Sequence, residues 1–159
     1  MIPFFPIEIE KRQIDNKVTA YILATYNLSA LIGSFFTDSV IGKLGRRYSV
    51  LLGMLSEGTG YILFGVNGYI NHKPTYIALA ITARFIQGFG GSVVSATMYS
   101  IVLNFYLVNK TRALTMIESA MCVGVLLGPA LGSVLFMIGG FQFMIFSFGT
   151  FLLMCAALV

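Results

Sequence analysis

The sequence predicts an all-helical membrane protein with five transmembrane helices. Of its 159 residues, 57% are hydrophobic and only 10% are charged, and the mean hydropathy is +0.87. Soluble domains carry about 25% charged residues, and disordered chains combine low hydrophobicity with high charge, so both classes are excluded. Long apolar runs alternate with short charged connectors. Segments of about ten residues with alternating polarity, typical of a membrane β-barrel, do not occur.

Five apolar runs are long enough to cross a bilayer as helices. An α-helix rises about 1.5 Å per residue, so roughly twenty residues span a hydrocarbon core of about 30 Å. The predicted helices cover residues 18–37, 48–68, 76–108, 120–138 and 141–159. The connectors 38–47 and 109–119 together carry five Lys or Arg residues, and the other side carries four, Lys11, Arg12, Lys17 and Lys73. This small excess leans toward a cytoplasmic position for both connectors.

Two charged residues interrupt the apolar runs, Glu57 in the second and Arg84 in the third. A charge at the centre of a membrane helix costs about 2.5–3.5 kcal/mol on insertion scales, so it normally faces protein or a water-filled cavity. Glu57 and Arg84 are expected at similar depth, where they can pair. Gln87 follows Arg84 by one helical turn and favours a cavity lining. Their interpretation as a proton or substrate site competes with a static ion pair or a protonated Glu57.

Small residues recur at every fourth position in two of the predicted helices. They are Ala120, Gly124, Gly128 and Gly132 in one helix, and Gly88, Ser92, Ala96 and Ser100 in the other. Because helices in lipid approach closely only through small residues, we expect the two stripes to match each other. Pro129 removes a backbone hydrogen bond, so it predicts a bend in its helix.

The sequence lacks the residue patterns of an enzyme. The single histidine, His72, lies in a connector beside Pro74, which is expected to end a helix. Cys122 and Cys155 lie in apolar runs, where they are interpreted as buried thiols. We therefore predict no catalytic residue, no cofactor and no metal site. The net charge of +4 is scattered over short connectors, so we also expect no nucleic-acid partner.

The connector at residues 38–47 contains the run Gly45, Arg46 and Arg47, and with this run it resembles a motif of the major facilitator superfamily, in particular of its proton-coupled drug and amine antiporters. The family's loop between helices two and three reads G-x-x-x-D-R-x-G-R-R, and residues 38–47 follow its spacing. Gly45, Arg46 and Arg47 match the motif. Gly42 stands where the family has Asp, which weakens the charge relay that this Asp supports. The resemblance implies that Gly45, Arg46 and Arg47 form a cytoplasmic gating loop.

Two further motifs follow in the family's order. The run from Arg84 to Gly91 is similar to the helix-four signature R-x-x-Q-G-x-G, and the run from Gly124 to Ser133 resembles the helix-five antiporter signature G-x-x-x-G-P-x-x-G-G. The opening segment, residues 3–8, resembles the segment after helix one in vesicular amine and polyamine transporters of the family.

The resemblance implies the roles of these residues. Arg84 would be the proton-coupling or cavity-lining charge. The antiporter bend would involve Gly128 and Pro129, within a motif that also includes Gly124 and Gly132.

The resemblance also implies that the chain is part of a larger fold. The family has twelve helices in two halves of six, and the five predicted helices correspond to helices two to six, an incomplete six-helix half. Residues 1–17 would hold the end of helix one and an extracytosolic loop. Helix one and the C-terminal half of the transporter are then missing from this chain and would be its partners. The other expected partners are protons, a small-molecule solute and the lipid bilayer of a plasma or vesicle membrane.

The implied function is proton-coupled antiport of organic cations, amines or drug-like solutes by alternating access. One alternative is a facilitator of another solute, such as a sugar or an organic anion. Another is a multi-span structural subunit that transports nothing, for which Arg84→Ala would leave function intact.

Overall fold

The computed structural model describes residues 15–70, 72–105 and 109–159. This part of the chain contains three helices and no strand: α1 spans Asn16–Asn67, α2 spans Lys73–Phe105 and α3 spans Lys110–Leu158. All three are long and apolar enough to cross a membrane. The all-helical prediction is confirmed. The predicted end of helix one and its loop fall mainly on residues 1–14, outside the described residues.

The described residues form three helices rather than the five separate helices predicted, because the connector after the first run is almost entirely helical and the connector after the fourth run is reduced to a turn at one glycine. One residue in each long helix departs from helical geometry: Gly45 in α1 (φ 78°, ψ 164°) and Gly140 in α3 (φ 74°, ψ −170°). This backbone region is open essentially to glycine alone. A single glycine therefore turns the chain, and it divides α1 into segments α1a (residues 16–44) and α1b (46–67) and α3 into segments α3a (110–139) and α3b (141–158).

Other predicted bounds shift by one to three turns. α2 begins at Lys73 rather than at residue 76, and Pro74 lies in its first turn, where the missing N–H is not needed. α3 begins at Lys110 rather than at residue 120 and continues helically through Pro129. The predicted third run ends at residues 106–108, which lie outside the described residues.

Both segments of α1 pack against α2. A Cβ on Gly33 of α1a would meet Phe89 at 3.2 Å, and a Cβ on Gly53 of α1b would meet the carbonyl oxygen of Gly90 at 2.9 Å. Since both contacts fall on the same level of α2, the chain reverses at Gly45 and the two segments lie side by side.

The predicted match between the two small-residue stripes is wrong. The stripe of α2 faces α1a instead, with Gly88 against the backbone of Tyr26 and Ser92 against Gly33. In α3a, a methyl group added to Gly124 or Gly128 would have no neighbour within 4 Å. The small residues of α2 therefore pack against α1a, the neighbouring segment, and not against α3a.

The core of the bundle joins α1, α2 and α3b. Its buried hydrophobic residues are Ile22, Phe64, Ala80, Ala83, Phe141, Met144 and Ile145. α3b runs antiparallel to α1b, because Gly58 meets Leu153 whereas Gly65 meets Phe146. The interpretation of the two cysteines as buried thiols is wrong: Cys122 is exposed and Cys155 is half-buried. Cys122 lies on α3a, the segment that packs least against the rest of the bundle.

Candidate functional site

A cavity of about 590 Å³ lies between α1a, α1b, α2 and both segments of α3. Its volume falls within the range of about 300–1,000 Å³ that is typical of small-molecule sites. One wall presents polar and aromatic side chains, which are Tyr26, Asn27, Tyr61, Arg84 and Phe148. α3a supplies another wall with residues 124, 125, 128 and 129. The cavity is therefore largely apolar and carries a few polar groups on one side.

Arg84 is held in place from two directions although it lies in an apolar helix. Its side chain is 5% exposed, and Nη1 donates a hydrogen bond to Oε1 of the fully buried Gln87 at 3.0 Å. Its Cζ atom lies 4.5 Å from the centroid of the Phe64 ring. The structure therefore brings two of the predicted site residues, Arg84 and Gln87, together, and it places Arg84 on the cavity wall.

Glu57 lies on α1b, half-buried against α2. A Cβ atom added to Gly91 of α2 would lie 3.7 Å from Cδ of Glu57 and 3.1 Å from the phenolic oxygen of Tyr26. Glu57 is thus close to a residue that lines the cavity. The pairing of Glu57 with Arg84 stays a prediction.

The residues predicted to form an antiporter motif divide between the cavity and the packed interior. Gly124, Gly128 and Pro129 line the cavity, and a methyl group added at either glycine would meet nothing within 4 Å. Gly132, the fourth predicted residue, is buried. The stripe on α3a thus presents a side-chain-free surface to open space rather than a packing groove.

The predicted gating loop lies away from the cavity, at the end of the bundle where α1a turns into α1b. Gly45 makes the turn, Arg46 is half-buried and Arg47 is exposed. Arg47 Nε donates a hydrogen bond to the backbone oxygen of Val159 at 2.7 Å. This contact joins the start of α1b to the end of α3b.

Sequence reasoning missed Tyr26, Asn27, Tyr61 and Phe64. The first three left a weak signal, because polar groups in apolar runs tend to face protein or a cavity. Phe64 left none, since phenylalanine is common in these runs and only the rotation of α1b places it on Arg84. Among the described residues, no group of three or more His, Cys, Asp or Glu side chains is arranged to hold a metal ion.

Comparisons with known proteins agree with the motifs. A family model described as Major Facilitator Superfamily matches residues 1–159. The chain is 28% identical over 142 residues to the MFS-type transporter SLC18B1 of Mus musculus, an alignment that covers 88% of this chain and 30% of that protein. It is 22% identical over 133 residues to Multidrug resistance protein 2 of Bacillus subtilis (strain 168), with 83% of this chain and 32% of that protein covered. The chain thus spans about a third of the length of these relatives. No solved structure matches it significantly.

Proposed function

Because the chain belongs to the major facilitator superfamily, we propose that it forms part of a proton-coupled antiporter of organic cations, amines or drug-like solutes. It is an integral, multi-pass membrane protein from a family of transporters, not of enzymes. The observation that carries the proposal is a buried arginine on the wall of a 590 Å³ cavity inside apolar helices. Such a charge is costly in lipid, and it normally marks a solute or ion pathway.

The cavity supplies the solute site in this proposal. Phe148, Tyr26 and Tyr61 offer ring surfaces to an apolar body, and the hydroxyl groups and the Asn27 amide offer hydrogen bonds. Gly124 and Gly128 of α3a add no side chain to the other wall, so the cavity can admit a bulky solute. Alternating access would then expose this cavity to one side of the membrane at a time.

Glu57 is the proposed proton carrier. Its carboxyl carbon lies 3.7 Å and the hydroxyl of the cavity residue Tyr26 lies 3.1 Å from the Cβ position of Gly91, and in this proposal the proton reaches the cavity along this side of α2. A protonated Glu57 is neutral, and its deprotonation adds a negative charge within the field of Arg84. Coulomb interactions at this depth are stronger than in water, so the proton and a charged solute would compete for the same site.

The topology follows from the two glycine turns. We propose that α1a, α1b, α2, α3a and α3b each cross the bilayer once, since α1a and α1b lie side by side and α3b runs antiparallel to α1b. These crossings would correspond to helices two to six of the family. The length that the relatives have beyond this chain would supply helix one and a second half, against which the cavity opens and closes. The membrane would be a plasma or vesicle membrane, and the loop from Gly45 to Arg47 would contact the second half during gating.

The test is transport by the complete protein in liposomes, with a proton gradient and the fluorescent cation ethidium as the probe. Arg84→Ala removes the charge that the proposal places in the solute and proton pathway, so uptake should fall by at least about tenfold, which corresponds to about 1.4 kcal/mol. Arg112→Ala is the matched control, because Arg112 is exposed at the start of α3a. Equal uptake by wild type and Arg84→Ala would contradict the proposal and favour a structural role.

A second candidate is a facilitator of organic anions. The observation that favours it is the charge of the cavity wall, since Arg84 is its charged member among the described residues. Competition separates the two candidates. Inhibition of ethidium uptake by other amines supports the cation antiporter, whereas uptake of an aromatic carboxylate such as benzoate without ethidium uptake supports the anion facilitator.

A further inference from the structure

We propose that Phe64 is a positioning residue for Arg84. The ring of Phe64 lies under the guanidinium group, with 4.5 Å between Cζ and the ring centroid, and it is 2% exposed. Neither the family motifs nor the sequence pattern assigns this residue a role. Its place on α1b, opposite Arg84 on α2, makes it part of the cavity's supporting structure.

An aromatic face suits a charge that has to stay available. The ring attracts a cation through its quadrupole, but it accepts no proton and carries no opposite charge. Phe64 and Gln87 therefore hold the guanidinium in place on the cavity wall.

The ring of Phe64 is itself held by a third element. Its centroid lies 6.3 Å from that of Phe141, and the two rings meet edge to face at 63°. Aromatic pairs prefer this geometry. Phe141 is the first residue of α3b after the Gly140 turn. The position of Arg84 thus depends on α1b and α3b as well as on its own helix.

The consequence for transport rests on the proposed function, whereas the contact between Phe64 and Arg84 does not. A mispositioned Arg84 keeps its charge but presents it at the wrong place to the solute and to Glu57. We therefore expect the proton gradient to drive solute uptake less effectively when the ring is removed.

The first experiment compares three variants of the complete protein in liposomes with ethidium as the probe. Phe64→Leu removes the ring face and should lower the ratio of uptake with and without a proton gradient at least severalfold. Phe64→Tyr keeps the face and should restore most of this ratio. Phe146→Leu is the matched control, because Phe146 packs between the same segments, against Gly65, and should leave the ratio unchanged. Equal effects of Phe64→Leu and Phe146→Leu would overturn the proposal.

A double-mutant cycle tests the contact without any transport. Unfolding equilibria of wild type, Phe64→Leu, Arg84→Ala and the double variant are measured in detergent by denaturant titration. A desolvated cation–π pair contributes about 1–2 kcal/mol, so we expect coupling of about fivefold to thirtyfold in the unfolding constant. Additivity within about twofold would overturn the positioning role. If wild type fails to transport ethidium while this coupling is present, the proposed function fails and the positioning of Arg84 by Phe64 stands.

Discussion

The replacement of Gly45 by alanine tests whether a single backbone conformation separates α1a from α1b. Gly45 has φ 78° and ψ 164°, a region that is essentially restricted to glycine and costs other residues about 1–3 kcal/mol. A Cβ at this position meets nothing within 4 Å. Steric contact with neighbouring residues therefore adds nothing, and the expected loss of about 1–3 kcal/mol comes from the backbone alone.

Gly42 provides a matched control three residues earlier. It also has open space around its Cβ position, but it lies within the helical part of α1. Alanine is better than glycine inside a helix by about 1 kcal/mol, so Gly42→Ala should stabilise the protein slightly. The two substitutions are chemically identical, and we expect their free energies of unfolding to differ by about 2–4 kcal/mol.

The measurement is denaturant unfolding of the purified complete protein in detergent, followed by far-UV circular dichroism because this chain contains no tryptophan. Gly45→Ala should shift the midpoint to lower denaturant, and Gly42→Ala should leave it unchanged or raise it. Indistinguishable midpoints for the two variants would refute the assignment of the turn to the conformation of Gly45.

Three further predictions concern packing and the cavity. Gly90→Ala brings a methyl group to 2.6 Å from a backbone oxygen of α1b, so unfolding should become easier by about 1–3 kcal/mol. Gly124→Ala has open space inside a helix, so in the same titration it should leave stability unchanged or raise it by up to about 1 kcal/mol. Tyr99→Phe removes the hydrogen bond from Tyr99 to the carboxylate of Glu118, so hydrogen exchange at the start of α3a should become faster, and unchanged exchange would contradict this link. Gly124→Val places a side chain in the cavity and should lower ethidium uptake severalfold without lowering the unfolding midpoint; full uptake would remove the cavity from the solute path.

Part of the candidate site was predictable because it depends on local rules. Arg84 interrupts an apolar run, so its cost in lipid requires protein or a cavity around it. Gln87 lies three residues later on the same helix face, and the hydrogen bond between the two follows from helical spacing. The contacts of Arg84 with Phe64 and the approach of Glu57 to Tyr26 were not predictable, because they join different helices.

The number of helices shows the same limit. Charges and turn residues in the connector 38–47 predicted a break of several residues, but the chain needs only Gly45 to reverse its direction. The remaining connector residues continue the helix, because nothing between Asp38 and Leu44 breaks it. The predicted gap at residues 139–140 was only two residues long, and the chain does turn there, at Gly140.

The sequence by itself determined that this protein lies in a lipid bilayer, that it is helical and which helix carries the buried charge. These properties follow from hydropathy and from the rise of about 1.5 Å per residue, which act along one chain segment at a time. Only the tertiary structure decided that the glycines of α3a face a cavity, that the stripe of α2 faces α1a and that Phe64 holds Arg84. The reason is that contacts between helices depend on their relative rotation and register, and packing of all the helices sets both together.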